Sequence, residues 1–205
     1  MRREDRLTPL WRSEWSDETR DLIDGLAGEM AKVEGEYHDE NPDGDASGTV
    51  NIVCTMAHNP AVMAPFLRFA AALSLYGTLS RREHELLALR AILHCRSAFE
   101  WGHHVVFALA AGLSEEEIAR VVEGPDHPDW SDDDRLLMRV ADELQGDCDL
   151  RPETWAALRA RYSDAQLVEI PFVVGQYTML SMVANATGVP IEKGLRPLPE
   201  AKGAR

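Results

Sequence analysis

The stretch Ser80-Arg81-Arg82-Glu83-His84-Glu85-Leu86-Leu87-Ala88-Leu89-Arg90-Ala91-Ile92-Leu93 decides the fold. Ser80 followed three residues later by Glu83 is a capping box, so a helix starts here. Leu86, Leu87, Leu89, Ala91, Ile92 and Leu93 then make it apolar nearly all round, which is the pattern of a buried helix. Glu85 lies within about 40° of Leu89, Ile92 and Arg96 at helical periodicity, so a carboxylate shares the apolar stripe. A buried carboxylate is costly unless it is paired or hydrogen-bonded. Glu85 is therefore either half of a structural ion pair, with Arg90, Arg96 or an arginine elsewhere, or part of a reactive site.

A buried helix needs other elements around it, and the flanking sequence supplies helices. Pro60 to Tyr76 is rich in Ala, Leu, Met and Phe and ends at Gly77. Ser97 to Ala111 stops at Gly112, and Ser114 with Glu117 repeats the capping box for a short helix to Val122. After a loop from Gly124 to Trp130, Ser131 caps a helix through Leu144. Pro152, at the first-turn position where proline is tolerated, opens Glu153 to Tyr162. Ser163 to Thr187 is a long segment that Pro171 should kink or interrupt near Ile170. Gly188-Val189-Pro190 ends it, and the tail to Arg205 reads as loosely held. Upstream, Ser16 opens a helix carrying Leu22, Ile23, Leu26 and Met30. His38 to Asp45 is a polar, turn-rich loop without the ligand alternation of a calcium loop. The reading is all-α, with residues 1–50 as an N-terminal helix and acidic loop, 51–192 as the helical domain and 193–205 as a tail.

Composition limits the partners. Of 205 residues, 35 are Asp or Glu against 21 Lys or Arg, a formal net charge of −14. Phosphate backbones and anionic membrane surfaces both select for cationic proteins, so neither nucleic acid nor membrane is an expected partner. No apolar run approaches the roughly 20 residues that span a bilayer. The cysteines Cys54, Cys95 and Cys148 are about fifty residues apart with no CxxC, which gives neither a disulfide framework nor a zinc signature. The expected compartment is the reducing cytoplasm.

Candidate chemistry gathers on the helix after Leu93. Ser97, Glu100 and His104 fall at i, i+3 and i+7, within about 60° of one another. A carboxylate one turn from an imidazole can fix its tautomer and raise its basicity, which suits general acid/base work. The competing reading is a pair of small energetic value. Trp101 sits on another side. His103 points away and reads as a surface or interface residue, while His58, His84 and His94 have no partner legible in sequence. Cys95 is either an inert small hydrophobe or a single reactive thiol. Glu85, Glu100 and His104 could also hold a divalent ion, though no second histidine supports it.

Several segments together resemble the carboxymuconolactone decarboxylase and AhpD-like superfamily. These are Leu79 to Arg90, Ser97-Ala-Phe-Glu100-Trp-Gly-His-His104, Ala110 to Ser114, Asp142-Glu143-Leu144, Trp155, Gly175-Gln-Tyr177 and Asn185 to Pro190. The resemblance runs from about Pro60 to Glu192. It implies an AhpD-like helical fold, a homo-oligomer with its site near subunit contacts, and no metal or organic cofactor. In the alkylhydroperoxidase branch a glutamate precedes a CxxC, and a histidine follows its second cysteine by four residues. Glu85 and His104 match that glutamate and histidine, and the cysteine positions hold Ser97 and Glu100. Disulfide exchange needs two sulfurs, so that peroxidase chemistry is not expected. What the resemblance leaves is a proton-transfer set of His104, Glu100, Glu85 and Ser97 acting on a small organic acid, lactone or carbonyl compound. Glu100 would orient His104, and Arg90, Arg96 and Trp101 are the substrate-binding candidates. Two alternatives stay open: a thiol protein using Cys95, and a non-catalytic oligomer or ligand-binding protein.

Overall fold

The structure is a computed structural model that describes residues 6–34 and 51–200, with the side chains of 26–34 outside the description. The loop expected at 38–45, and Leu26 and Met30 as core positions, therefore lie outside the described residues. Every regular element described is helical: a 3-10 turn Arg12–Glu14, then α1 Asp17–Glu34, α2 Asn51–Met56, α3 Pro60–Tyr76, α4 Arg81–Cys95, α5 Ala98–Ala110, α6 Glu115–Glu123, α7 Asp132–Asp147, α8 Pro152–Arg159 and α9 Asp164–Thr187. The described residues form two compact units, one within Met1–Gly77 and Val183–Leu195, the other within Thr78–Met182 and Arg196–Arg205.

In the first unit α1 and α2 pack on α3. Its core joins Trp15, Ile23, Cys54, Ala57 and Met63, with Leu10, Leu22 and Leu67 against them. The buried indole of Trp15 donates to the Leu10 carbonyl at 2.6 Å. Ser16 opens α1 as its spacing predicts, its hydroxyl accepting from the Thr19 amide at 3.2 Å. Helix α2 has no counterpart in the sequence reading, because six residues are too few to show a helical period.

The second unit is built around α4, which packs against α5, α6 and α7. Ser80 and Glu83 form the capping box, and Arg96, in the left-handed conformation at φ 53°, ends the helix. Leu86, Leu87, Ala88, Leu89, Ala91 and Ile92 are fully buried among Val105, Ile118, Val121, Leu137, Val140, Ile170 and Val173. Arg82 bonds both Glu117 and Asp134, at 2.5 and 2.8 Å, and so pins α4 to α6 and α7.

Three expectations change. Pro171 does not interrupt its segment: α9 runs unbroken through it. Leu167, Ile170, Val173 and Val174 pack in the core on either side of it, and that burial holds the turns despite the missing N–H. The tail is tied down as far as it is described. The buried Glu192 carboxylate accepts from the Asn51 amide at 2.8 Å, Arg196 forms a two-point ion pair with Glu115, and Leu198 packs on the second unit's core. Finally, α9 is long and apolar enough, by length and composition, to cross a membrane, although half of that window is buried inside the fold. It also carries the buried Glu169, whose carboxylate accepts from the Thr78 amide and hydroxyl at 2.6 and 2.7 Å.

Candidate functional site

Helices α4 and α5 bring Glu85 and His104 together. His104 Nδ1 lies 2.7 Å from Glu85 Oε2, with both side chains buried. A carboxylate only accepts, so Nδ1 carries the proton and the tautomer is fixed from α4. On the opposite edge of the ring, Nε2 stands 3.9 Å from Glu100 Oε2. That is too long for a hydrogen bond. The orienting carboxylate is therefore Glu85, and the expectation that Glu100 plays that part is corrected. The reason is that Glu85 reaches Nδ1 across the helix pair, whereas Glu100, one turn back on the same helix, faces only the other nitrogen.

Ser97 is not a helix-face residue. It is the N-cap of α5, fully buried, with its hydroxyl accepting from the Glu100 amide at 3.5 Å. It therefore holds the turn that carries Glu100. The other walls were not legible. Tyr177 of α9 stands nearly perpendicular to His104, ring centroids 4.3 Å apart, and Phe107 does the same from within α5 at 5.3 Å. The Tyr177 hydroxyl is 2.8 Å from His84 Nε2. Burial pushes the His84 imidazole below its ordinary value, outweighing the pull of Glu85 the other way, so His84 is neutral at pH 7. Glu85, Glu100, His84, His104 and Tyr177 are each less than a tenth exposed.

The structure does not gather the substrate-binding candidates here. Arg90 grips Asp142, with one bond at 2.9 Å, and donates to the Val121 carbonyl at 2.8 Å. Gly124, at φ 98°, leaves room for that guanidinium, since a Cβ there would lie 3.3 Å from its Nη2. Arg96 is exposed at the end of α4. Trp101 is buried in the core at 1 % exposure, so its ring is not offered to a ligand. His103, expected at the surface or at an interface, is buried within the single chain against Phe99, ring centroids 4.7 Å apart. His94 bonds Asp142 at 2.6 Å and His58 bonds the Thr8 carbonyl at 2.8 Å.

Asp142 allows a direct check on Arg90. Burial raises its pKa, but the bonds from His94 and Arg90 outweigh that and hold it below the usual 3.8. A depressed carboxylate adds stability that is present above its unfolded value and is lost as pH falls through the folded one. Arg90→Met is expected to destabilise by about 1–3 kcal/mol near pH 7. It should also flatten the fall in stability below about pH 4 that Asp142 contributes. Denaturant midpoints at pH 7 and pH 3 measure both effects, and an unchanged midpoint at pH 7 would contradict the structural role.

Cys95 is half-buried, its Sγ 3.9 Å from Gln145 Oε1. Burial pushes its thiol up, against the bonds to Thr178 and Ser181, which keeps it protonated and a poor nucleophile. All three cysteines are free thiols. Among the described residues, no three of His, Cys, Asp and Glu are arranged to hold a metal ion. Glu85 and Glu100 flank opposite edges of the His104 ring and cannot converge with it on one ion. Two clefts open elsewhere, about 480 Å³ around Asp142 and Arg151, and about 220 Å³ around Trp155 and Pro171. Neither is lined by a member of the Glu85–His104 cluster.

Comparison with known proteins follows the same residues. Residues 60–143, which include Glu85, Ser97, Glu100 and His104, match the carboxymuconolactone decarboxylase family. No curated protein matches the sequence. Among solved structures, a protein of unknown function from Agrobacterium tumefaciens, a putative antioxidant defence protein AhpD, superposes with a TM-score of 0.61 at 22% identity, covering 66% of this chain and 94% of its own. The debrominase Bmp8, as a cysteine-to-alanine variant in complex with 2,3,4-tribromopyrrole, gives 0.71 at 16% identity, with 91% of each chain covered. Its apo form gives 0.70 at 15%, with 91% of this chain and 92% of that one covered. The match over residues 60–143 supports the carboxymuconolactone decarboxylase and AhpD-like superfamily, and the helical architecture is the fold these solved structures share.

Proposed function

We propose that this chain is a cofactor-independent enzyme that moves protons on a small organic acid, lactone or related carbonyl compound. One observation carries the reading: a buried imidazole held between two carboxylates, bonded to Glu85 at 2.7 Å and facing Glu100 across 3.9 Å. Glu85 fixes Nδ1–H and stabilises the imidazolium, so Nε2 is the atom that takes or gives the proton. On a carbon acid, Nε2 takes the proton, the C–H bond breaks and its electron pair moves into the carbonyl as an enolate. In a decarboxylation the C–C bond breaks, CO₂ leaves, and the protonated Nε2 supplies the hydrogen that replaces it. Glu100 passes the proton to or from Nε2 through a water or a substrate atom. Ser97 serves by holding the turn that carries Glu100.

The fold neighbours include a debrominase and a putative antioxidant protein. A thiol reaction through Cys95 has less support in this chain, because burial raises that thiol's pKa and keeps it protonated.

The proposal includes a homo-oligomer in the cytoplasm, with no nucleic acid or membrane partner. The net charge of −14 supports the exclusions, and three free thiols suit a reducing compartment. Helix α9 supports the assembly. Val168, Phe172, Gly175, Met179 and Met182 recur at steps of four, three, four and three, which is the seam of a helix that packs on another helix. All four large members are 45–62 % exposed in the single chain.

The test is hydrogen exchange in D₂O. A panel of lactones, β-keto acids and related carbonyl compounds, incubated with the protein, is followed by proton NMR for loss of the C–H signal or release of CO₂. Exchange or turnover that depends on His104 supports the reading. Exchange that His104→Ala leaves unchanged would overturn it.

A further inference from the structure

The Glu85–His104 pair accounts for one edge of the imidazole, but not for what keeps the ring turned so that Nε2 faces Glu100. Tyr177 lies across it at 75°, with ring centroids 4.3 Å apart, while being itself tethered through its hydroxyl to His84 at 2.8 Å. His84 and Glu85 are neighbours in α4, so that helix reaches His104 twice: directly through Glu85, and through Tyr177 of α9 by way of His84. The four side chains form a closed loop of contacts, Glu85 to His104 to Tyr177 to His84 and back along the α4 backbone. All are buried, where a ring in close contact has few alternative rotamers.

We propose that Tyr177, anchored by His84, is a positioning residue for His104: it holds the imidazole in the rotamer that keeps Nδ1 on Glu85 and Nε2 toward Glu100. The inference rests on the assignment of His104 as the acid/base. Its test reads the imidazole itself rather than turnover, so the two can fail separately. Because His84 is neutral, it acts as a hydrogen-bonding anchor and adds no positive charge beside His104. An amide can replace it in that role; an alkyl group cannot.

The experiment uses the full chain labelled with 15N at histidine. Proton–nitrogen correlation spectra report the His104 tautomer and the rate at which its Nδ1–H exchanges with water. Tyr177→Phe keeps the ring but removes the anchor. It is expected to speed that exchange about fivefold, the scale of one lost buried hydrogen bond. His84→Leu should match it and His84→Gln should restore the slow rate. The double variant His84→Leu with Tyr177→Phe should be no faster than either single one, as for two halves of one interaction. The slowest backbone amides in the same samples report global unfolding, so a purely structural effect would speed them in parallel. Parallel change, or an unaltered His104 N–H in Tyr177→Phe, overturns the proposal. If Tyr177→Phe does not fold, the contrast between His84→Gln and His84→Leu decides it alone.

Discussion

Replacing His104 by alanine is expected to lower turnover by about 10²–10⁴-fold, the range for a residue that transfers a proton in the transition state. The same change leaves the buried Glu85 carboxylate without its partner, which is expected to cost up to about 3–5 kcal/mol of stability whatever the pair's role. Turnover per folded molecule therefore separates the catalytic reading from the non-catalytic one. Turnover and the denaturant midpoint of the same preparation give both numbers. A midpoint that collapses while turnover per folded molecule holds would make the pair structural.

The second large effect concerns assembly. Phe172→Glu combined with Met179→Glu is expected to turn the proposed homo-oligomer into monomers. Both side chains are about half exposed in the single chain, so in a seam between two copies of α9 their remaining surface becomes buried. Half-burying such a side chain is worth about 1–1.5 kcal/mol, and in a two-fold interface each change is counted twice. Two substitutions thus weaken association by about 10³–10⁴-fold, before the repulsion of buried carboxylates is added. Sedimentation velocity reads the outcome as a fall to the single-chain mass. A wild-type chain that is monomeric at high concentration, or a double variant with unaltered mass, would remove α9 as the seam.

What the sequence discloses and what it conceals follow the distance between partners. Ser80 with Glu83, Ser114 with Glu117, and Ser131 with Asp134 each close a bond within one turn, and all three caps form where the sequence places them. The apolar girth of α4 is equally local, and it places the buried carboxylate Glu85 before any fold is known. The errors are contacts between helices. Helical spacing sets Glu100 beside His104 but is silent on which carboxylate from another helix reaches the free nitrogen. Arg90 finds Asp142 52 residues away, and His84 finds Tyr177 93 residues away. Neither pairing leaves a mark on local pattern. Arg90 thus reads as a substrate ligand when it is a brace between α4 and α7, and His84 reads as unpartnered when it bonds the Tyr177 hydroxyl. Ser97 is a subtler case: read as the first residue of a helix, its hydroxyl points along the reactive face, whereas as N-cap it turns back to the Glu100 amide.

If His104 Nε2 and Glu100 carry out the chemistry, both must meet the reacting molecule. A crystal structure of the protein with a slowly turned-over carbonyl acid or lactone decides this. A ligand atom is expected within about 2.6–3.2 Å of His104 Nε2, lying between that nitrogen and Glu100, with Glu85 still on Nδ1. A ligand seated in another cleft, with His104 and Glu100 sealed from it in every copy, would contradict it.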